Sequence, residues 1–100
     1  MNRNRFPKIP SKKRAELSLT CRSLIGRRIK VVSSLNPKQL GIEGVLVYES
    51  AKLFHVHANG KVKRLYKNTI TFQTDYENQT VNINGAALLG TLTQRIKKIR

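Results

Sequence analysis

Apolar residues recur along this chain with two different periods. Between Ser11 and Gly26, the residues Leu17, Cys21, Leu24 and Ile25 return at helical spacing. Ser11 is placed to cap the start, Arg14 and Glu16 favour helix, and Gly26 ends it. The pattern predicts a helix over residues 11–26 whose apolar stripe packs on the rest of the fold or on a partner. Ser18, Thr20 and Ser23 lower its intrinsic propensity, so it needs tertiary support. Beyond Gly26 the period shortens toward two. Runs rich in Val, Ile, Thr, Phe and Tyr predict five or six short strands, with candidates at residues 27–33, 42–49, 52–58, 61–66, 69–75 and 80–84. Residues 92–100 fit helix or strand.

The breaks between these runs carry turn chemistry. Asn59-Gly60 joins two alternating runs, and a type I′ hairpin turn needs a positive φ at both of its positions. Asn36-Pro37, Glu49 to Lys52 and Asp75 to Gln79 mark further reversals, and loops this short make consecutive strands antiparallel. If Ala58 faces Lys61 across the hairpin, Phe54, Val56 and Leu65 share a core face. His55, His57, Val62, Arg64 and Tyr66 then share the outward one. Gly41 and Gly44 flank Ile42-Glu43, where a glycine bend is expected to curl the sheet into a small barrel and remove its edges. The reading divides the chain into a flexible basic arm (1–10), a helix (11–26), a β-barrel (27–90) and a basic C-terminal tail (91–100).

Charge adds the functional direction. The 100 residues hold 20 Lys and Arg against 5 Asp and Glu, for a formal net charge of +15. A compact domain with that much like charge repels itself unless a polyanion neutralises it. Ten of the basic residues lie in residues 1–30 against Glu16 alone, and Arg95, Lys97, Lys98 and Arg100 crowd the other end. The middle is nearly neutral, as expected where a core folds and the ends grip phosphates. Candidate RNA contacts are Arg14, Arg22, Arg27, Arg28 and Lys30 toward the N-terminus, Lys61, Lys63, Arg64 and Lys67 around the hairpin, and Arg95, Lys97 and Lys98 at the end. Arg and Lys mixed in this way suit backbone phosphates more than base edges. Tyr48 and Tyr66 are candidates for stacking on unpaired bases. Leu17, Cys21 and Leu24 are the candidate partner-binding stripe.

Enzymatic chemistry finds little support. His55 and His57, spaced i and i+2 on a strand, and Glu43 between glycines are the residues a metal-dependent nuclease would use, yet no third ligand adjoins them. No nucleophile triad, phosphate-binding glycine loop or paired-carboxylate spacing is present. No protein active site and no cofactor or metal are expected. A lone Cys21 excludes an intramolecular disulfide and suits a reducing cytoplasm. No apolar run reaches the roughly 20 residues of a membrane span.

Ordered blocks of the chain resemble ribonuclease P protein component 1 of archaea and its eukaryotic relatives. They are Leu24-Ile25-Gly26, Ile29-Lys30-Val31-Val32, Asn36-Pro37, Gly41-Ile42-Glu43-Gly44-Val45-Leu46-Val47, Gly60-Lys61, Lys67, Ile83-Asn84-Gly85, Leu89-Gly90 and the basic tail from Arg95. The resemblance spans residues 17–100. It implies a mostly β, six-stranded antiparallel Sm-like barrel in a cytoplasmic ribonucleoprotein that removes the 5′ leader of precursor tRNA, with catalysis in the RNA. It also implies a single copy in the complex, paired with a zinc-ribbon subunit and bound to the specificity domain of the catalytic RNA, which meets precursor tRNA indirectly. A ribosomal or other SH3-like RNA-binding barrel would share the charge and strands but not the ordered blocks.

Overall fold

The computed structural model describes residues 18–99, so the predicted arm, Ser11, Arg14 and Leu17 lie outside the described residues. Six strands form one antiparallel sheet: β1 (Arg28–Ser34), β2 (Glu43–Glu49), β3 (Leu53–Ala58), β4 (Lys61–Tyr66), β5 (Ile70–Tyr76) and β6 (Gln79–Asn84). Their order across the sheet is β4-β3-β2-β1-β5-β6. Short 3-10 helices follow β1 (Pro37–Gln39), β4 (Lys67–Thr69) and β6 (Gly85–Leu88), and an α-helix closes the chain (Leu92–Ile99).

The hairpin register is the expected one, with Ala58 opposite Lys61 and Phe54 opposite Leu65. Asn59 and Gly60 take φ of 53° and 77°, both positive as a type I′ turn requires. Glu77 and Asn78, also at positive φ, turn the β5–β6 hairpin in the same way.

The sheet curls on itself, and two aromatic rings show how far. Phe54 on β3 and Phe72 on β5 are separated by two intervening strands, which would hold them about 14 Å apart in a flat sheet. Their ring centroids are 5.4 Å apart, edge to face, so they meet across an enclosed interior. One core contains Ile29, Val31, Leu46, Phe54, Val56, Leu65, Ile70, Phe72, Val81 and Ile83 from all six strands. The outer strands β4 and β6 are not hydrogen-bonded to each other, so the barrel has a seam.

Bulges that add to the curl lie away from the predicted glycine bend. Registers slip by one residue at Val32 in β1 and at Val47 in β2, and these bulges sharpen the twist. Gly44 lies within the β1–β2 ladder, and its missing side chain serves a close approach: a Cβ there would fall 2.1 Å from the backbone oxygen of His57. Gly85 plays the same part beside the seam, where a Cβ would run into the backbone oxygen of Lys67.

The helix predicted to reach Gly26 stops early. Residues 18–20 are helical and the chain then turns, with Cys21 N–H donating to Ser18 O and Arg22 N–H to Leu19 O. Thr20 O and Arg22 O, which the next helical turn would use as acceptors, instead receive the guanidinium of Arg95. Leu19 and Leu24 are consequently the residues that enter the barrel core, whereas Cys21 and Ile25 are exposed. Leu24 is thus core and not docking surface, a correction to the partner-binding stripe. At the other end, the segment expected as a basic tail is helical and anchored through Arg95.

Candidate nucleic-acid interface

Alternation along β1 places Ile29 and Val31 in the core and sends Arg28 and Lys30 outward, because successive side chains point to opposite faces. Arg27 is held at the edge of this strand by a 2.6 Å hydrogen bond from its guanidinium to the Asp75 carbonyl. Arg28 lies 3.8 Å from the Glu43 carboxylate, with both side chains at least half exposed, an arrangement that contributes little to stability and leaves Arg28 available.

On the hairpin, Lys61, Lys63 and Arg64 are all exposed. Lys63 shares the inward parity of Val56, its register partner, but lies toward the turn, where it reaches the mouth of a recess. That recess, about 310 Å³, is lined by Arg28, Gly41, Ile42, Glu43, Ala58, Asn59 and Lys63. The fold therefore brings together two predicted cations from distant strands, at an end of the barrel where backbone glycine and amide groups are also accessible.

Arg22 and Lys97 are exposed as well, and the Arg95 hydrogen bonds to Thr20 O and Arg22 O set the C-terminal helix beside residues 20–22. The side chain of Lys98 lies outside the described residues. Lys38 and Lys52 are exposed cations that sequence patterning did not single out.

Lys67 and Arg95 do not belong to this surface. Both are buried and converge on Glu49, with Lys67 Nζ 2.8 Å and Arg95 NH1 2.9 Å from the same carboxylate oxygen, Oε1. Each also donates to the carbonyls of Leu88 and Gly90. Lys67 further lies over the Phe54 ring, 5.2 Å from its centroid. Burial lowers the Lys67 pKa from its ordinary value of 10.5, the Glu49 hydrogen bond and charge oppose that, and the Arg95 charge adds to it. Each donor nitrogen is engaged, so these two cations tie neighbouring segments of the barrel together and do not reach a phosphate.

His55 and His57 point outward on β3, opposite Arg64 and Val62, and His55 meets the Tyr48 ring edge-on at 5.0 Å. Among the described residues no three His, Cys, Asp or Glu side chains gather as metal ligands would. Glu43, the third residue of the nuclease alternative, faces Arg28. Among the described residues, no helix is long and apolar enough to cross a membrane.

Known proteins resemble this chain in sequence and fold. The family described as ribonuclease P/MRP, subunit p29, matches residues 17–98. A ribonuclease P protein component 1 from Sulfurisphaera tokodaii is 33% identical over 72 residues, covering 72% of this chain and 94% of the relative. One from Pyrococcus furiosus is 30% identical over 76 residues, covering 75% of this chain and 60% of the relative. The solved structure of Mth11, a homologue of the human ribonuclease P protein Rpp29, superposes with a TM-score of 0.54 and 25% identity, over 75% of this chain and 99% of that one. A family match that begins just before the buried Leu19, spans all six strands and ends within the C-terminal helix covers the whole described fold, and the chain belongs to the ribonuclease P/MRP subunit p29 family.

Proposed function

We propose that this chain is an RNA-binding, non-catalytic subunit of ribonuclease P that supports removal of the 5′ leader from precursor tRNA. The observation that carries the RNA-binding part is the convergence of exposed cations, with Arg28 and Lys63 on one recess and Lys30, Lys61 and Arg64 on the strands around it. A rigid barrel holds these charges in fixed positions, so binding phosphates does not also require ordering the protein. The contacts are to phosphates, which position an RNA without reading its sequence, and the bond-breaking chemistry belongs to the RNA. Exposed Arg22 and Lys97 extend the same grip at the ends of the fold. The ribosomal-barrel alternative loses its ground to the family match.

The proposed partners are the specificity domain of the catalytic RNA and a zinc-ribbon protein subunit, and membership of a ribonuclease P subunit family supports partners within that complex. With Leu24 in the core, Cys21 and Ile25 are, among the described residues, the exposed members of the N-terminal stripe that meet that subunit in this proposal. A cytoplasmic setting suits the lone free thiol.

Titration of the full chain with ribonuclease P RNA at rising salt tests the reading. Affinity is expected to fall steeply as counterion release is suppressed, and Arg28→Ala with Lys63→Ala should make the log–log salt slope shallower by about two phosphates. A flat salt response overturns it.

A further inference from the structure

Near the seam lies a second recess, of about 320 Å³, whose lining is mainly apolar: Lys52, Tyr66, Asn68 and Leu89. We infer that this recess takes one unpaired nucleobase of the bound RNA, stacked on the Tyr66 ring.

The chemistry of the four residues selects the occupant. Tyr66 is 56% exposed and offers an aromatic face, and Leu89 supplies an apolar surface. The side-chain amide of Asn68 is committed to no other described residue, so it is free to donate to and accept from the edge of a base. Lys52, exposed at the rim, supplies a positive charge, and no acidic residue lines the recess. A flat apolar face, a hydrogen-bonding edge and an anionic attachment together describe a nucleotide. The volume lies at the low end of the roughly 300–1,000 Å³ common for small-ligand sites, which is ample for one base.

The walls are also fixed in place. Lys67 sits between Tyr66 and Asn68, and its buried Nζ donates to the carbonyls of Leu88 and Gly90, the residues on either side of Leu89. One amine thus ties the aromatic wall to the apolar one. The Lys67 N–H donates to Lys52 O, and the Thr69 hydroxyl donates to Tyr66 O, which fixes the remaining sides. A slot whose walls are already ordered loses little entropy when a planar group enters.

The inference rests on the RNA-binding reading and is tested so that the two can fail separately. The full chain is titrated with a fully paired RNA hairpin, its strands joined by a base-free linker, and with the same hairpin carrying one unpaired adenosine. The chain has no Trp and three Tyr, so tyrosine emission reports stacking directly. The wild type is expected to prefer the unpaired adenosine and to lose emission on binding it. Tyr66→Ala should weaken binding to that hairpin by about five- to hundred-fold, with the fully paired hairpin and its salt slope unchanged. Tyr66→Phe should keep the preference while abolishing the Tyr66 share of the quenching. If Tyr66→Ala affects both hairpins equally or neither, while salt-sensitive binding persists, the nucleobase site is wrong and the phosphate-gripping reading stands. If Tyr66→Ala spares both hairpins but weakens capture of another ribonuclease P protein subunit, the occupant is a protein and the inference falls. If the wild type binds neither hairpin, the RNA-binding reading itself fails.

Discussion

Glu49→Gln removes one negative charge from a site where two cations share one carboxylate oxygen at 2.8 and 2.9 Å. The Glu49 side chain is only 7% exposed and its partners 0% and 1%, so water cannot replace what is lost. Removing one partner of a buried ion pair costs about 3–5 kcal/mol, because the remaining charge stays desolvated. Here two such charges remain and repel each other, which places the expected loss toward the upper part of that range. Against the roughly 5–15 kcal/mol of a whole domain this is severe. Urea is the suitable denaturant, since an ionic one would screen the effect. With a slope of about 1–3 kcal/mol per molar, the midpoint should fall by at least about 1 M. Lys67→Met should cost less, because it removes a desolvated cation and leaves the Glu49–Arg95 pair. Glu49→Gln combined with Lys67→Met should be more stable than Glu49→Gln alone. A loss under about 0.5 kcal/mol for Glu49→Gln, or simple additivity in the double variant, would refute the account of this cluster.

Gly44→Val should destabilise the barrel by about 1–3 kcal/mol or more in a thermal or urea melt, since the new Cβ meets backbone atoms of His57 and Ala58 that cannot rotate away. Replacing His55 and His57 together by Ala should leave single-turnover cleavage by the reconstituted complex unchanged in its chemical step, and a collapse of cleavage with RNA binding intact would contradict the non-catalytic reading. The lowered Lys67 pKa means that the unfolded chain binds more protons than the folded one between that lowered value and 10.5, so this residue costs stability at neutral pH and the cost is relieved as pH rises. The stability of the wild type relative to Lys67→Met should therefore increase with pH through that window.

The strands were legible because their evidence is local. Alternating Val, Ile and aromatic residues with Asn59-Gly60 between them specified both the β3–β4 register and the core face holding Phe54, Val56 and Leu65. What alternation missed follows from a bulge. Counted from buried Leu46, Glu49 falls on the outward parity, but the extra residue at Val47 turns it inward, opposite Phe54. A bulge leaves no composition signal in Leu46-Val47-Tyr48, so the acid that organises the seam looked like turn chemistry. Lys67 was more accessible to reasoning, since it lies two residues beyond buried Leu65 on the same side of the chain. Its positive charge points to the surface, so alternation alone does not place it inside. Arg95 sits one turn from Leu92 on the C-terminal helix, where hydropathy alone favours Ile96 for the inner face. Ile96 is 42% exposed and Arg95 buried, because only a long side chain with several donors can reach Glu49 and four carbonyls at once.

That choice explains how the barrel closes. A ladder between β4 and β6 would have satisfied the edge strands with backbone hydrogen bonds, but the sheet order leaves them unpaired. Across the gap, Lys67 after β4 reaches the carbonyls that follow β6, Glu49 at the end of β2 holds that amine, and Arg95 joins the C-terminal helix and residues 20–22 to the same point. A seam held by side chains fixes the positions of short loops that a continuous ladder would have absorbed into strands, and those loops carry Tyr66, Asn68 and Leu89. Two of the twenty cations are thereby withdrawn from the RNA-facing charge. They set the shape of the surface on which the others act, so variants at Lys67 or Arg95 should alter RNA binding through the geometry of the barrel and leave its salt slope in place.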